Sequence, residues 1–345
     1  MPYYSGVNQD EVTKQMIIEL KRIRGAGAAA VGAVLGLASV FAAAQQPFPQ
    51  KPVRLVVGFA PGGGSDLLTR AISTEMGEAL GQPVVIDNKA GAAGLIANEI
   101  IAKAPADGYS LVVGSAASFS IVPNMMEKPP YDALKDYAAV SPFARNTFML
   151  VAHPGVPANT VAEVIEYAKA HPGTLNFGSG GNGSVMHLAM EMFASMAGIR
   201  LTHVPYKSAG PALLDTVAGR VQLFFNTTGI TVPYAQSGKL KVLAASTSRR
   251  AALFPNVPTL SEAGVKGYEL FNWFGIFAPA GTPRPAIDRL NKAVNAALAQ
   301  PKVLERIRSA GAEEYPGTAD ELTAQVRVEF EKYGKLVRGL GLKAE

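Results

Sequence analysis

No cysteine occurs anywhere in the 345 residues. That excludes disulfides, thiol nucleophiles and cysteine metal sites, and with them the modified cysteine of a lipoprotein anchor. Histidine is nearly as scarce. His153, His171, His187 and His203 are the only four, and none belongs to an HExxH-type pair of metal ligands. Charge is thin too, at 17% of residues, and the net +5 is scattered rather than gathered into runs. A scattered basic excess is a solubility feature, so no nucleic-acid partner is expected. What is plentiful is apolar surface. With 48% hydrophobic residues, the chain can build a packed core, and its length suits two domains.

The one long apolar run lies at the start. Lys14, Lys21, Arg22 and Arg24 form a basic region, residues 25–44 then carry no charge, and the run closes on Ala42-Ala43-Ala44. Basic region, apolar stretch and small-residue end together have the form of a secretory signal peptide. A membrane anchor is the alternative, since the stretch is long enough to span, but its Ala-rich end favours cleavage. Residues 1–44 are therefore expected to be a signal peptide, with Met16 as an alternative start. The mature chain is expected to be free in the periplasm, not lipidated.

Beyond residue 44 the pattern alternates strand and helix. Residues 53–58 (VRLVVG) read as a buried strand. Pro61-Gly62-Gly63-Gly64-Ser65-Asp66 opens a helix with Asp66 or Ser65 as N-cap and an apolar face of Leu67, Leu68, Ala71, Ile72 and Leu80. Strands near 84–87 and 110–114 flank a helix that opens at residues 91–94 and runs to about Ala104. Such a β-α-β-α-β run implies a parallel sheet. The pattern restarts near Phe148. Strands are expected at 150–153, 175–178, 200–204, 221–225 and 240–245, with helices at 160–170, 185–196 and 210–217 between them. A strand-like segment at 271–279 and three helices from Pro283 onward return to cover the first sheet. The expected fold class is α/β, with two lobes built on parallel-rich sheets and joined by a two-strand hinge. The first lobe would comprise residues 45–145 and 273–345, and the second 146–272. The two crossings would act as the hinge.

Two Gly-rich segments, 61–66 and 178–184, each join a strand to a helix. Ligands of open α/β sheets sit beyond the carboxyl ends of strands. A helix N-terminus there offers unpaired N–H groups and partial positive charge, which favour an anion. Two such loops, one per lobe, would grip an acid from both sides. Two ordinary strand-to-helix turns explain the residues equally well. Phosphate-binding readings fail, because neither loop is followed by the Lys of a P-loop. Residues 178–183 match the spacing of a dinucleotide fingerprint, but residues 198–202 lack the acid that should follow it. Ser179 and Ser184 lie outside any G-x-S-x-G elbow. An enzyme is not expected, and neither is a cofactor or a metal.

The order of motifs resembles the Bug family, the TctC-like solute-binding components of tripartite tricarboxylate transporters. The resemblance spans about residues 48–342. It is carried by Lys51-Pro52-Val53-Arg54-Leu55 with the 61–66 loop, Ala104-Pro105-Ala106-Asp107-Gly108-Tyr109, and the 178–184 loop with His187-Leu188-Ala189. Val204-Pro205-Tyr206-Lys207, Leu253-Phe254-Pro255-Asn256-Val257-Pro258 and Ala278-Pro279-Ala280-Gly281-Thr282-Pro283 continue it. The resemblance implies a Venus-flytrap periplasmic binding protein that delivers a small organic carboxylate to integral-membrane transporter subunits, acting as a monomer. A sensory protein for a histidine kinase is the alternative the family permits, and an α/β enzyme a more distant one. The expected ligand contacts are Gly62, Gly63, Gly64, Ser65 and Asp66 from one lobe and Ser179, Asn182, Gly183, Ser184 and Asn226 from the other, with Asp66 acting through its helix or a water and Asn226 giving a neutral hydrogen bond. Relatives usually carry Asp where this chain has Asn226, and residues 115–120 depart from a segment that usually contains Thr-His.

Overall fold

The computed structural model describes Lys14, residues 48–91 and residues 94–343. The expected signal peptide therefore lies outside the described residues, save Lys14. Among the described residues no helix is long and apolar enough to cross a membrane. Residues 51–345 form one compact unit that carries two sheets.

The first sheet grows from the expected β-α-β-α-β run. Strand β1 (Val53–Val57) leads through α1 (Gly64–Leu80) to β2 (Val84–Asn88), and α2 (Leu95–Ala102) leads to β3 (Ser110–Ser115). These three strands are parallel, in the order β3-β1-β2. A π turn (Ala117–Ile121) and a short α3 (Val122–Met125) follow β3, and neither was expected. Strand β4 (Tyr137–Asn146) then runs toward the second sheet, and after Thr147 the chain enters that sheet as β5 (Phe148–Ala152).

The second sheet repeats the plan. It contains α4 (Val161–Ala170), β6 (Asn176–Ser179), α5 (Val185–Ala197), β7 (Thr202–Pro205), α6 (Ala209–Val217), β8 (Leu223–Thr227), α7 (Thr228–Gln236) and β9 (Lys241–Ala245). Strands β7, β6 and β8 are parallel. The chain returns to the first sheet as β10 (Asn272–Pro279), followed by α8 (Arg284–Leu298), α9 (Pro301–Ser309), β11 (Glu313–Glu314) and α10 (Ala319–Gly339).

Both sheets are mixed, with a parallel trio beside antiparallel strands. The expectation of parallel-rich sheets holds for the trios and fails at the crossings. Strand β5 is antiparallel to both its neighbours, and β10 is antiparallel to β3 and β4. The cause is directional. The parallel strands of each trio share one direction, whereas a strand arriving from the other sheet enters in the opposite one.

The helices of the last quarter also depart from expectation in one respect. Helices α8 and α9 cover the first sheet, with α9 pinned to α1. Glu75, fully buried on α1, receives Lys302 Nζ at 3.0 Å and Arg306 Nη1 at 2.9 Å. Helix α10, in contrast, serves both sheets. Its Leu322 and Val326 join the core cluster of the first sheet, with Val112, Phe119, Trp273 and Phe277. Its Tyr333 and Val337 join the core cluster of the second, with Leu188, Met192, Phe225 and Tyr268.

Candidate functional site

The first Gly-rich loop sits beyond the carboxyl end of β1. Helix α1 starts at Gly64 with Gly63 as its N-cap, and no side chain caps it. This corrects the expected cap at Ser65 or Asp66. Asp66 is the third residue of the helix, in its first turn, and reaches back instead. Its Oδ2 accepts the Gly62 N–H at 2.9 Å and Arg70 Nε at 2.8 Å, and its Oδ1 accepts Asn88 Nδ2 at 2.9 Å. Burial alone would raise the pKa of this carboxyl. The hydrogen bonds from Arg70, Gly62 and Asn88 more than offset that and hold it at about 2. Asp66 is therefore ionised, but its charge is matched by Arg70. The i, i+4 spacing of Asp66 and Arg70 was the available signal for this partner. The first-turn N–H groups of Gly64, Ser65 and Asp66 make no main-chain bond, as the geometry of a helix start requires. Leu67, expected on the buried face, is 47% exposed. The face that packs inward carries Leu68, Ala71, Ile72 and Met76.

The second loop follows β6. Ser179 is the last residue of that strand and is fully buried. Its hydroxyl accepts the Gly181 N–H at 3.1 Å and stands 2.6 Å from His203 Nε2. Ser184 is the N-cap of α5, with its Oγ accepting the His187 N–H at 3.2 Å. Asn182 is exposed between them. Gly183 is buried with φ +72°, and a Cβ there would stand 2.6 Å from Met125 Sδ of α3. The second loop thus packs on a residue from the stretch that follows the first sheet's β3. Ser179 and Ser184 each have a local structural duty, which the sequence did not reveal. Ser179 has no exposed surface, and burial together with the neighbouring His187 pushes its partner His203 down to about 4.

Asn226 is the last but one residue of β8, beside β6, so it lies at the same end of the second sheet as Ser179. It is 2% exposed and its Nδ2 has no hydrogen-bond partner. Such buried orphan groups are rare and call for an explanation. Among the described residues six buried side-chain polar atoms share this state: Ser65 Oγ, Ser120 Oγ, Asn146 Oδ1, Asn226 Nδ2, Thr227 Oγ1 and Asn272 Oδ1. Their positions are not random. Ser65 and Ser120 follow the ends of β1 and β3, Asn226 and Thr227 end β8, and Asn146 and Asn272 are direct partners where β4 and β10 cross between the sheets. Directly opposed residues of an antiparallel pair share a face, so the two crossing amides stand side by side. Asn146, Thr227 and Asn272 went unnoticed in the sequence, because only the strand register brings them together. All six are neutral hydroxyls or amides, chemistry suited to holding a polar ligand by hydrogen bonds.

Comparison with known proteins follows the same line. The sequence profile described as "Tripartite tricarboxylate transporter family receptor" matches residues 68–342. Protein BugT of Bordetella pertussis is 32% identical over 317 residues, which cover 91% of this chain and 97% of that protein. A solved R. palustris protein with adipate is 35% identical, with a TM-score of 0.72 over 86% of this chain and 99% of its own. MatC from Rhodopseudomonas palustris, solved with bound malate, is 33% identical, with a TM-score of 0.70 over 84% of this chain and 100% of its own.

Proposed function

Since the chain belongs to the tripartite tricarboxylate transporter receptor family, we propose that it is a periplasmic receptor for a short dicarboxylate, which it hands to integral-membrane transporter subunits without any chemistry of its own. In this reading residues 1–44 are a signal peptide removed on export. The first lobe comprises 45–145 and 273–345, and the second 146–272. One carboxylate of the ligand lies between the loops, met by the N–H groups of Gly64, Ser65 and Asp66 and by the loop of Ser179, Asn182, Gly183 and Ser184. Gly62 and Gly63 let the chain approach closely, and Asp66 shapes its loop rather than touching the ligand. Asn226 supplies a neutral donor.

The observation that carries this reading is the set of buried, unpartnered donors beyond the strand ends, Asn226 Nδ2 and the hydroxyls of Ser65, Ser120 and Thr227. A dicarboxylate bound there would give Asn226 Nδ2 and the two serine hydroxyls acceptors, and recover the cost of burying them unpaired. The adipate and malate seen in two relatives are the natural probes. Isothermal titration of the chain with adipate, malate and hexanoate tests it. The expected outcome is saturable binding of at least one dicarboxylate and at least tenfold weaker binding of hexanoate. Equal binding of the monocarboxylate would contradict the assignment, because the second carboxylate would then have no partner.

A further inference from the structure

Two histidines lie beneath the second Gly-rich loop. We infer that His187 and His203 are positioning residues that hold this loop in its ligand-facing conformation, His187 through an Nδ1 that must remain an unprotonated acceptor and His203 through the contact of its Nε2 with Ser179 Oγ. The inference rests on the reading of that loop as one jaw of the carboxylate site.

The geometry comes from three elements. The parallel register of β6 and β7 pairs Phe177 with His203. The first turn of α5 turns His187 inward, where it is 3% exposed. The two imidazoles then stack with centroids 3.8 Å apart and planes 9° from parallel, and Phe177 covers His203 at 4.8 Å. Each ring reaches a different part of the loop. His187 Nδ1 accepts the Gly183 N–H at 3.2 Å. His203 Nε2 lies 2.6 Å from Ser179 Oγ, which itself accepts the Gly181 N–H at 3.1 Å and reaches Gly181 O at 3.2 Å, so either partner of the His203–Ser179 contact can be its donor.

Gly181 and Gly183 have φ of +112° and +72°. Glycines at such angles have no side chain by which to be held, so the loop is fixed through its N–H groups. An imidazole nitrogen accepts only when it carries no proton. A proton on His187 Nδ1 therefore breaks the bond to Gly183, and a charge on either ring faces the other imidazole at stacking distance. Among the described residues the charged group facing the pair is Glu191 of α5, 3.7 Å from His187 Nε2. Strand β6 contributes Phe177 and Ser179, β7 contributes His203, and α3 contributes Met125 against Gly183. Burial, with His187 second, keeps His203 neutral down to about pH 4.

The test uses the whole chain labelled with 15N. Long-range spectra of the imidazoles report which nitrogens are protonated at pH 7, and glycine amide shifts are followed from pH 8 to pH 4. His187 is expected as the Nε2–H tautomer, with the Gly183 amide moving as His187 takes up its second proton. Four variants add the binding readout with adipate and malate. His187→Phe and His203→Phe keep the stack but lose the ring nitrogens, and are expected to bind about tenfold more weakly. His187→Asn and His203→Gln can place an oxygen where Nδ1 and Nε2 stood, and are expected to retain binding within about threefold. A Gly183 amide that ignores His187 protonation overturns the inference, even where the Phe variants do not fold. Phe variants that bind like the wild type overturn it as well. A Gly183 amide that follows the titration but does not move at saturation with either dicarboxylate upholds the positioning role and counts against the two-loop site.

Discussion

Asp66 is spent on its own loop. Bonded to Gly62, Arg70 and Asn88, it ties the loop to the first turn of α1, where the amides of residues 64–66 make no main-chain bond, and Arg70 offsets its charge, as the proposed anion site needs. The loop also needs Gly62, whose φ is +79°, but not Gly63, whose φ is −72°. A Cβ at Gly62 meets nothing within 4 Å, so the cost of Gly62→Ala is conformational, about 1–2 kcal/mol. A Cβ at Gly63 would stand 3.2 Å from Ala60 O, so Gly63→Ala should cost only the few tenths of an ångström by which that carbonyl gives way, less than Gly62→Ala. Urea unfolding of the two variants checks the order, and equal costs would show that the loop does not depend on the left-handed residue. A second residue-scale case is Glu329. Burial pushes this carboxyl up to about 7, although Trp273 Nε1 donates to it at 2.6 Å. The sign follows from linkage. An acid with a raised folded pKa stabilises fully below its ordinary value of 4.5 and loses that contribution as pH rises through 7. Stability should therefore fall between about pH 4.5 and pH 7, by at most about 3 kcal/mol. Glu329→Gln keeps an acceptor for Trp273 and should flatten that slope. The same slope in both proteins would place the titrating group elsewhere.

Most elements were legible in the sequence because period and punctuation agreed. Thr160 caps α4 as expected, accepting the Glu163 N–H at 3.2 Å, and the VRLVV run is β1. The failures have physical causes. Residues 117–125 carry small polar and apolar residues without a clean 3.6 period, so the π turn and α3 left no signal. Helix α7 holds Pro233 in its interior and begins directly at the end of β8, so its pattern was lost beside the strand. The site was half legible. The Gly-rich loops announced themselves, but the crossing amides Asn146 and Asn272 and the stacked histidines depend on strand register, which local sequence does not encode. Loop residues also carry duties that their motif conceals. Ser184 caps α5, so Ser184→Ala should cost about 1 kcal/mol of stability with no ligand present. Thermal unfolding of the unliganded variant measures this. A melting temperature equal to wild type would assign the hydroxyl to the ligand alone.

At the scale of the whole molecule, the two sheets are joined by two crossings and shared by one helix. The crossings are braced against each other: Ser246 Oγ receives the Phe148 N–H at 3.1 Å and donates to Leu270 O at 2.7 Å. Helix α10 adds a third tie through Tyr333 and Val337. In the proposed reading a ligand that contacts both loops would draw the lobes together, by rotation about the crossings with α10 as a further tie. Small-angle scattering should show a smaller radius of gyration at saturation with the bound dicarboxylate. An unchanged radius would mean that the lobes are held at one angle by α10. The proposed site stands or falls on where the carboxylate sits. A crystal structure of the complex with whichever dicarboxylate raises the melting temperature most tests this directly. One carboxylate is expected within hydrogen-bond distance of the α1 first-turn amides and of the 179–184 loop, with Asn226 Nδ2 donating to the ligand. A ligand bound away from both loops, with Asn226 still unpartnered, would contradict it.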